Sequence, residues 1–117
     1  MAKYNKWEYQ DKEDKQIDPV RARDLMVECF YSAQKDKFKA LKEKAGIPSS
    51  DKDVYDSIVV MVRLAFSEIG GDFKDPNKDN LLKVLDFLVS RETIWGTPKD
   101  VVDHNKTLML KIINRVK

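Results

Sequence analysis

Cys29 and His104 are the residue types that could supply a nucleophile and its base, because the sequence has one cysteine and one histidine. A nucleophilic thiol needs a neighbouring base or another source of activation. Cys29, however, stands among apolar residues at helical spacing, where a free cysteine usually packs as a small hydrophobic side chain. His104 falls beside the apolar face of the last predicted helix. We therefore predict no catalytic residues and expect that the protein is not an enzyme.

Two patterns could bind a metal ion. The stretch Asp75–Asp86 has acidic or amide residues at positions one, three, five and twelve of a calcium-loop spacing. That loop also requires Gly at position six and Glu at position twelve, where this sequence has Asn80 and Asp86. Asp100 and His104 share a helix face, but no third ligand accompanies them. We predict no metal site and no cofactor.

Lysines are concentrated in two segments, each at the end of a predicted helix. The candidate basic patch comprises Lys35, Lys37, Lys39, Lys42, Lys44, Lys106, Lys111, Arg115 and Lys117. Basic residues at helix C-termini complement the helix dipole, which explains most of this pattern. The alternative is a surface for phosphate groups or an acidic partner. Arginine is scarce in these segments, although base recognition relies on it, so a nucleic-acid partner is only weakly supported.

The N-terminal arm, residues 1–17, differs in composition from the rest of the chain. Between Met1 and Gln16, the large apolar side chains are Tyr4, Trp7 and Tyr9. Most of the residues around them are charged. Termini are usually loose unless something holds them. Trp and Tyr nevertheless suit a contact surface, because each combines apolar area with a polar group. We predict that these three aromatic residues bind a groove or a second copy, and the alternative is a loose tail.

Residues 18–117 are predicted to form one helical domain, because residues typical of helix starts and ends recur along this range. A first helix begins at Asp18–Pro19, because Asp caps helices and Pro fits the first helical position. Apolar residues recur at helical spacing until Gly46 ends the helix. About 27 residues at 1.5 Å each span roughly 40 Å, against an expected radius of gyration near 13 Å. We therefore expect the first helix to extend past the bundle, to bend, or to pack against a second copy.

The second helix is predicted to begin at Ser50, which has capping-box spacing to Asp53, and to end at Gly70–Gly71. Its middle, Ile58–Phe66, is apolar except for Arg63. A helix that is apolar on every face is typical of a buried central helix. An unpaired buried charge there would be costly, so we expect the Arg63 guanidinium either to extend to solvent or to pair with a carboxylate, for which Glu28 and Asp86 are candidates.

A third helix is predicted from Asp75–Pro76 and a fourth from Thr97–Pro98. The connections between the four helices are short, which predicts an all-α, antiparallel four-helix bundle. Asn105 interrupts the apolar face of the fourth helix. Such a residue either fixes the register or number of partners, or forms a hydrogen bond with a neighbouring helix.

Composition limits the class of protein. The 117 residues include 22 basic and 20 acidic side chains, and the formal net charge is +2. The longest uncharged apolar run, Ile58–Val62, is far shorter than the roughly 20 residues of a membrane span. Met1–Lys6 begins no apolar secretion segment, and one cysteine forms no internal disulfide. We expect a cytoplasmic, non-enzymatic interaction protein without membrane contact that binds another protein, most simply as a homodimer, and the alternative is a nucleic-acid-associated regulator.

Overall fold

The computed structural model describes residues 16–116, which form four α-helices. The helices are α1 (Pro19–Lys44), α2 (Asp51–Glu68), α3 (Lys78–Ile94) and α4 (Lys99–Asn114). Within this described part of the chain, the only β-type pairing is an isolated bridge between Ile17 and Val116. The prediction of an all-α four-helix fold is confirmed.

The helices pack around one apolar core. α1 packs against α2 and α4, and α3 packs against the same two helices. α2 and α4 do not pack against each other, so they occupy opposite corners of the bundle. The largest fully buried apolar side chains are Phe30, Phe66, Met26, Ile58, Leu81, Leu85, Leu88, Met109, Ile112 and Ile113.

α1 begins and ends at the predicted residues. The Asp18 side chain accepts a 2.7 Å hydrogen bond from the backbone N–H of Arg21, and Pro19 is the first helical residue. At the other end, Gly46 adopts a φ of 70°, which glycine tolerates without the steric cost of a Cβ. The N–H of Ile47 then donates to the carbonyl of Lys42 at 3.1 Å and closes the end of the helix.

The last six residues of α1, Lys39–Lys44, form an overhang beyond the core. Phe38 is the last side chain of α1 that packs on the core, where its ring lies 5.6 Å from that of Trp95. Within the overhang, Leu41 is 57% exposed and Lys42 alone is half-buried. Of the three outcomes expected for the first helix, the structure shows its extension past the bundle.

α2 begins with the predicted capping box. The backbone N–H of Asp53 donates to Ser50 Oγ at 3.2 Å, and the N–H of Ser50 donates to the Asp53 carboxylate at 3.1 Å. The prediction that α2 is buried on every side is wrong, because Val60 is 63% and Leu64 is 43% exposed. Each helix of a four-helix bundle has an outer face, and no other helix covers that of α2.

Of the two arrangements predicted for Arg63, the structure shows the guanidinium in solvent and not the ion pair. Arg63 is exposed, and its guanidinium carbon lies 5.3 Å from the centre of the Phe73 ring. No carboxylate among residues 16–116 forms an ion pair with it. The outer face of α2 leaves the guanidinium in water, and an aromatic surface attracts a cation without a carboxylate.

α3 begins two residues later than predicted, with its cap at Asn77 in place of Asp75. Asn77 caps the helix, since its side-chain oxygen accepts a 2.8 Å hydrogen bond from the N–H of Asn80. Asp75 belongs to the preceding turn, where its N–H donates to the carbonyl of Asp72 at 3.2 Å. Because residues 78–86 are helical, the stretch Asp75–Asp86 does not have the shape of a calcium loop.

α4 begins after Pro98, whose carbonyl accepts hydrogen bonds from Val101 and Val102. Thr97 does not cap α4 with its side chain. Its hydroxyl instead accepts a hydrogen bond from Gln34 at 3.3 Å, so it contributes to the interior of the bundle. No helix in the described range 16–116 is long and apolar enough to cross a membrane.

Candidate functional site

A buried polar cluster lies inside the otherwise apolar core. Gln34, Glu92 and Asn105 are the polar or charged residues with at most 1% exposure in the described part of the chain. They belong to α1, α3 and α4 in that order. With their neighbours Cys29 and Thr97, they form what we call the buried polar cluster.

Glu92 is the centre of this cluster. Its Oε2 accepts hydrogen bonds from Gln34 Nε2 at 2.6 Å and from Asn105 Nδ2 at 3.0 Å. Gln34 also donates to the Thr97 hydroxyl, and the Cys29 thiol lies 3.8 Å from Asn105 Oδ1 in donor geometry. Hydrogen bonds to Glu92 therefore join α1, α3 and α4 at one point.

The environment of Glu92 favours its neutral form. Burial raises the pKa of the Glu92 carboxyl, and the hydrogen bonds from Gln34 and Asn105 offset only part of that rise. The second carboxyl oxygen, Oε1, is buried and accepts no hydrogen bond from residues 16–116. No basic side chain in that range forms an ion pair with Glu92. A buried carboxyl without a cation is costly when ionised.

The cluster does not form a catalytic pair of Cys29 and His104. Burial raises the pKa of Cys29 to about 12, and the charge of Glu92 contributes to the rise. The thiol is directed at Asn105, and no hydrogen bond joins it to His104. His104 Nε2 is buried without a hydrogen-bond partner in the part of the chain that the structure describes. A protonated, fully buried thiol is a poor nucleophile.

The hydrogen bonds of the cluster favour one packing of α1, α3 and α4 over others. The Glu92 carboxyl makes the stability of this packing depend on pH. The three central residues of the cluster are sealed from solvent, so a substrate has no route to Glu92 in this conformation. Buried polar groups that satisfy one another penalise alternative packings, in which the same groups would lose their partners. Asn105 therefore forms a hydrogen bond with a neighbouring helix, which is one of the two roles predicted for it from the sequence.

Sequence reasoning missed Gln34 and Glu92, although both carried a signal. Gln34 lies four residues after Phe30 and four before Phe38, and Glu92 lies four after Leu88. Each therefore continues an apolar face at helical spacing. Long polar side chains at such positions usually reach solvent, and only the packing of the three helices shows that these two do not.

The lysines of α1 and the C-terminal end of α4 lie at opposite ends of the bundle, whereas Lys106 is in the middle of α4. Lys35, Lys37, Lys39, Lys42 and Lys44 occupy the second half of α1. The bridge between Ile17 and Val116 places the end of α4, with Lys111 in its last turn and Arg115 as its C-cap, beside the start of α1. About 20 residues of helix, roughly 30 Å, separate these ends.

Several of the basic residues have structural contacts. Lys37 donates to the backbone carbonyl of Trp95, which helps to hold the α3–α4 connection against α1. Lys106 lines a shallow groove between α3 and α4 together with Val89 and Val102. Lys117 and the aromatic residues of the N-terminal arm, Tyr4, Trp7 and Tyr9, lie outside the described residues.

A second groove runs between α1 and α2. It has a volume of about 410 Å³ and is lined by Glu28, Tyr31, Ser32, Lys35 and Tyr55. The rings of Tyr31 and Tyr55 meet edge to face at 5.2 Å. Burial raises the pKa of Tyr55, and the carboxylates of Glu28, Asp24 and Asp56 raise it further. The groove therefore combines aromatic surface with charges of both signs, from Glu28 and Lys35.

The described residues bring no three side chains of His, Cys, Asp or Glu together as ligands for one metal ion. Comparison with protein-family models, with curated proteins and with solved structures finds no match to this chain. The fold and these surfaces therefore define the class as a four-helix bundle with a polar core cluster and a tyrosine-lined groove.

Proposed function

We propose that this chain is a cytoplasmic, non-enzymatic interaction protein that acts as a homodimer. The observation that carries the proposal is the overhang of α1. Helices in proteins are stabilised mainly by tertiary packing, and the overhang has little within the described residues 16–116. A second copy that packs along α1 would supply contacts to these last turns.

The groove between α1 and α2 supports the same role. Its lining residue Lys35 is about one helical turn before the overhang, and one aromatic ring in the groove, that of Tyr55, is 38% exposed. Exposed aromatic side chains are enriched in protein interfaces. The unpaired, buried Cys29 is compatible with the reducing environment of the cytoplasm.

Light scattering at several concentrations tests the proposal. A homodimer has twice the 13.6 kDa mass of one chain. We expect the mass to rise from one chain to two between about 1 μM and a few hundred μM, the range of a weak to moderate interface. A mass of one chain throughout this range would contradict the proposal.

Nucleic-acid binding has less support, because the two basic clusters do not form one surface. A gel-shift titration with mixed-sequence DNA and RNA separates the two functions. Binding that weakens steeply with salt would favour the nucleic-acid alternative.

A further inference from the structure

From Asp24 onward, one face of α1 carries first acids and then lysines. At 3.6 residues per turn, six positions from Asp24 to Lys42 fall within an arc of about 80°, which the exposed Arg21 of the first turn also shares. These six residues, which we call the α1 stripe, are Asp24, Glu28, Tyr31, Lys35, Lys39 and Lys42. Tyr31 and Lys42 are half-buried and the other four are exposed, so the stripe points away from the core.

The middle of the stripe forms one wall of the groove between α1 and α2. Tyr55 of α2 forms the facing wall and packs its ring against Tyr31. Glu28 and Lys39 form no ion pair with any residue in the range 16–116, whereas Asp24 is 2.8 Å from the guanidinium of its neighbour Arg23. Glu28 and Lys39, with the exposed Lys35, are therefore the charges of the stripe that another molecule can pair with.

The stripe is complementary to itself when two copies run antiparallel. A two-fold interface requires each residue to meet its counterpart reciprocally. With the two-fold axis crossing the stripe at the level of Ala33 along the helix, Glu28 faces the second copy's Lys39, and Asp24 faces the second copy's Lys42. Tyr31 then faces the second copy's Lys35, a pairing of an aromatic ring with a cation. A parallel arrangement would instead place like charges together.

We infer that the α1 stripe is the surface through which a second copy of this chain binds, with the two α1 helices antiparallel and the overhang of each copy beside the first half of the other's α1. This inference rests on the proposed homodimer and specifies its surface. The partner's overhang carries Lys39 and Lys42 towards the acidic end of the stripe. Each cross-pair occurs twice in the symmetric dimer, which compensates for the weakness of single exposed ion pairs.

Charge reversal with rescue tests the surface in the full chain. Glu28→Lys and Lys39→Glu each place like charges together twice per dimer. We expect each single variant to raise the dimer dissociation constant about tenfold or more. The double variant Glu28→Lys/Lys39→Glu restores opposite charges in both pairs, so its dissociation constant is expected within about threefold of that of the unmodified chain.

Val60→Asp is the matched control, because Val60 is exposed on the outer face of α2, away from the stripe. It should leave the dissociation constant unchanged, and circular dichroism should show that every variant keeps its helices. If the unmodified chain dimerises but the stripe variants do not weaken it, or if the double variant is no better than the singles, the surface is wrong and the homodimer stands. If Val60→Asp alone dissociates the dimer, the second copy binds α2 instead. A monomeric unmodified chain would overturn both proposals.

Discussion

Glu92 is the side chain in which burial and charge conflict most directly. It is fully buried, and burial raises its pKa above the ordinary value of 4.5. A raised pKa in the folded state means that the folded chain holds this proton more tightly than the unfolded chain. The stabilising contribution of the protonated carboxyl is therefore complete below pH 4.5 and is lost as the pH rises through the folded-state value.

Glu92→Gln removes this titration and keeps an oxygen that accepts from Gln34 and Asn105. At pH 8, we expect the variant to exceed the unmodified chain by at least about 1 kcal/mol in free energy of unfolding, because a charged group with an unsatisfied oxygen is no longer buried. The advantage should shrink as the pH falls towards 5. Urea unfolding at both pH values measures it, and an advantage that does not change with pH would contradict this account of Glu92.

Asn105→Leu tests the hydrogen bonds of the cluster. The variant removes one donor to Glu92 and the acceptor of the Cys29 thiol, and we expect a loss of about 1–3 kcal/mol in free energy of unfolding at pH 8. In the Glu92→Gln background the same change should cost less, because no charge is left without its donor. If Asn105→Leu lowers the free energy of unfolding equally with and without Glu92→Gln, the amide contributes through its packing and not through Glu92.

Only part of the cluster could be predicted from the sequence. Asn105 was recognisable because a short amide cannot reach solvent from an apolar helical face. Gln34 and Glu92 were not, since their longer side chains normally extend to water from such positions. Their burial depends on how three helices meet, which no single helical pattern contains.

At the scale of the elements, helix ends were predicted where a cap side chain acts locally. Asp18 and Ser50 form the hydrogen bonds that their spacing predicts. The start of α3 was wrong because Asp75 and Asn77 both precede residues that suit a helix, and the turn at Asp72–Asp75 uses the first of them. The exposed face of α2 could not be predicted from its apolar run, because that face depends on which neighbours the helix has.

Ser50→Ala tests the cap of α2. The Ser50 hydroxyl accepts the otherwise unpaired N–H of Asp53, so we expect a loss of about 1 kcal/mol in free energy of unfolding. Ser90→Ala is the matched control, because Ser90 is exposed within α3 and caps no helix, and it should change stability by less than about 0.5 kcal/mol. Equal effects in urea unfolding would refute the role of the cap.

At the scale of the whole molecule, the charged residues of the α1 stripe extend from the groove to the overhang. The net charge of +2 conceals a separation along α1, where the acids of the stripe precede the lysines. The four-helix fold was predictable because helix caps and apolar spacing repeat along the chain. The groove was not, because Tyr31 and Tyr55 come from different helices and meet only in the packed bundle.

Deleting residues 1–15 separates the stripe from the N-terminal arm. The stripe lies wholly on α1, so we expect the truncated chain to dimerise with a dissociation constant within about threefold of that of the full chain, a difference of roughly 0.7 kcal/mol. Light scattering at matched concentrations measures this. Loss of the dimer would instead assign the contact to the arm and its residues Tyr4, Trp7 and Tyr9.

Disulfide trapping tests the antiparallel α1 pair most directly. In a Cys29→Ser background, the double variant Glu28→Cys/Lys39→Cys should form a covalent dimer under mild oxidation, because the two introduced thiols face each other across the interface. A disulfide requires Cα atoms about 4.4–6.8 Å apart. In either single variant, the two copies of the introduced cysteine would lie about 16 Å apart along the helix axis and should remain reduced. Non-reducing electrophoresis distinguishes the outcomes, and the predicted result is a covalent dimer from the double variant alone. Equal amounts of covalent dimer from the single variants would contradict the antiparallel pair. So would the absence of a covalent dimer from a double variant that dimerises in solution.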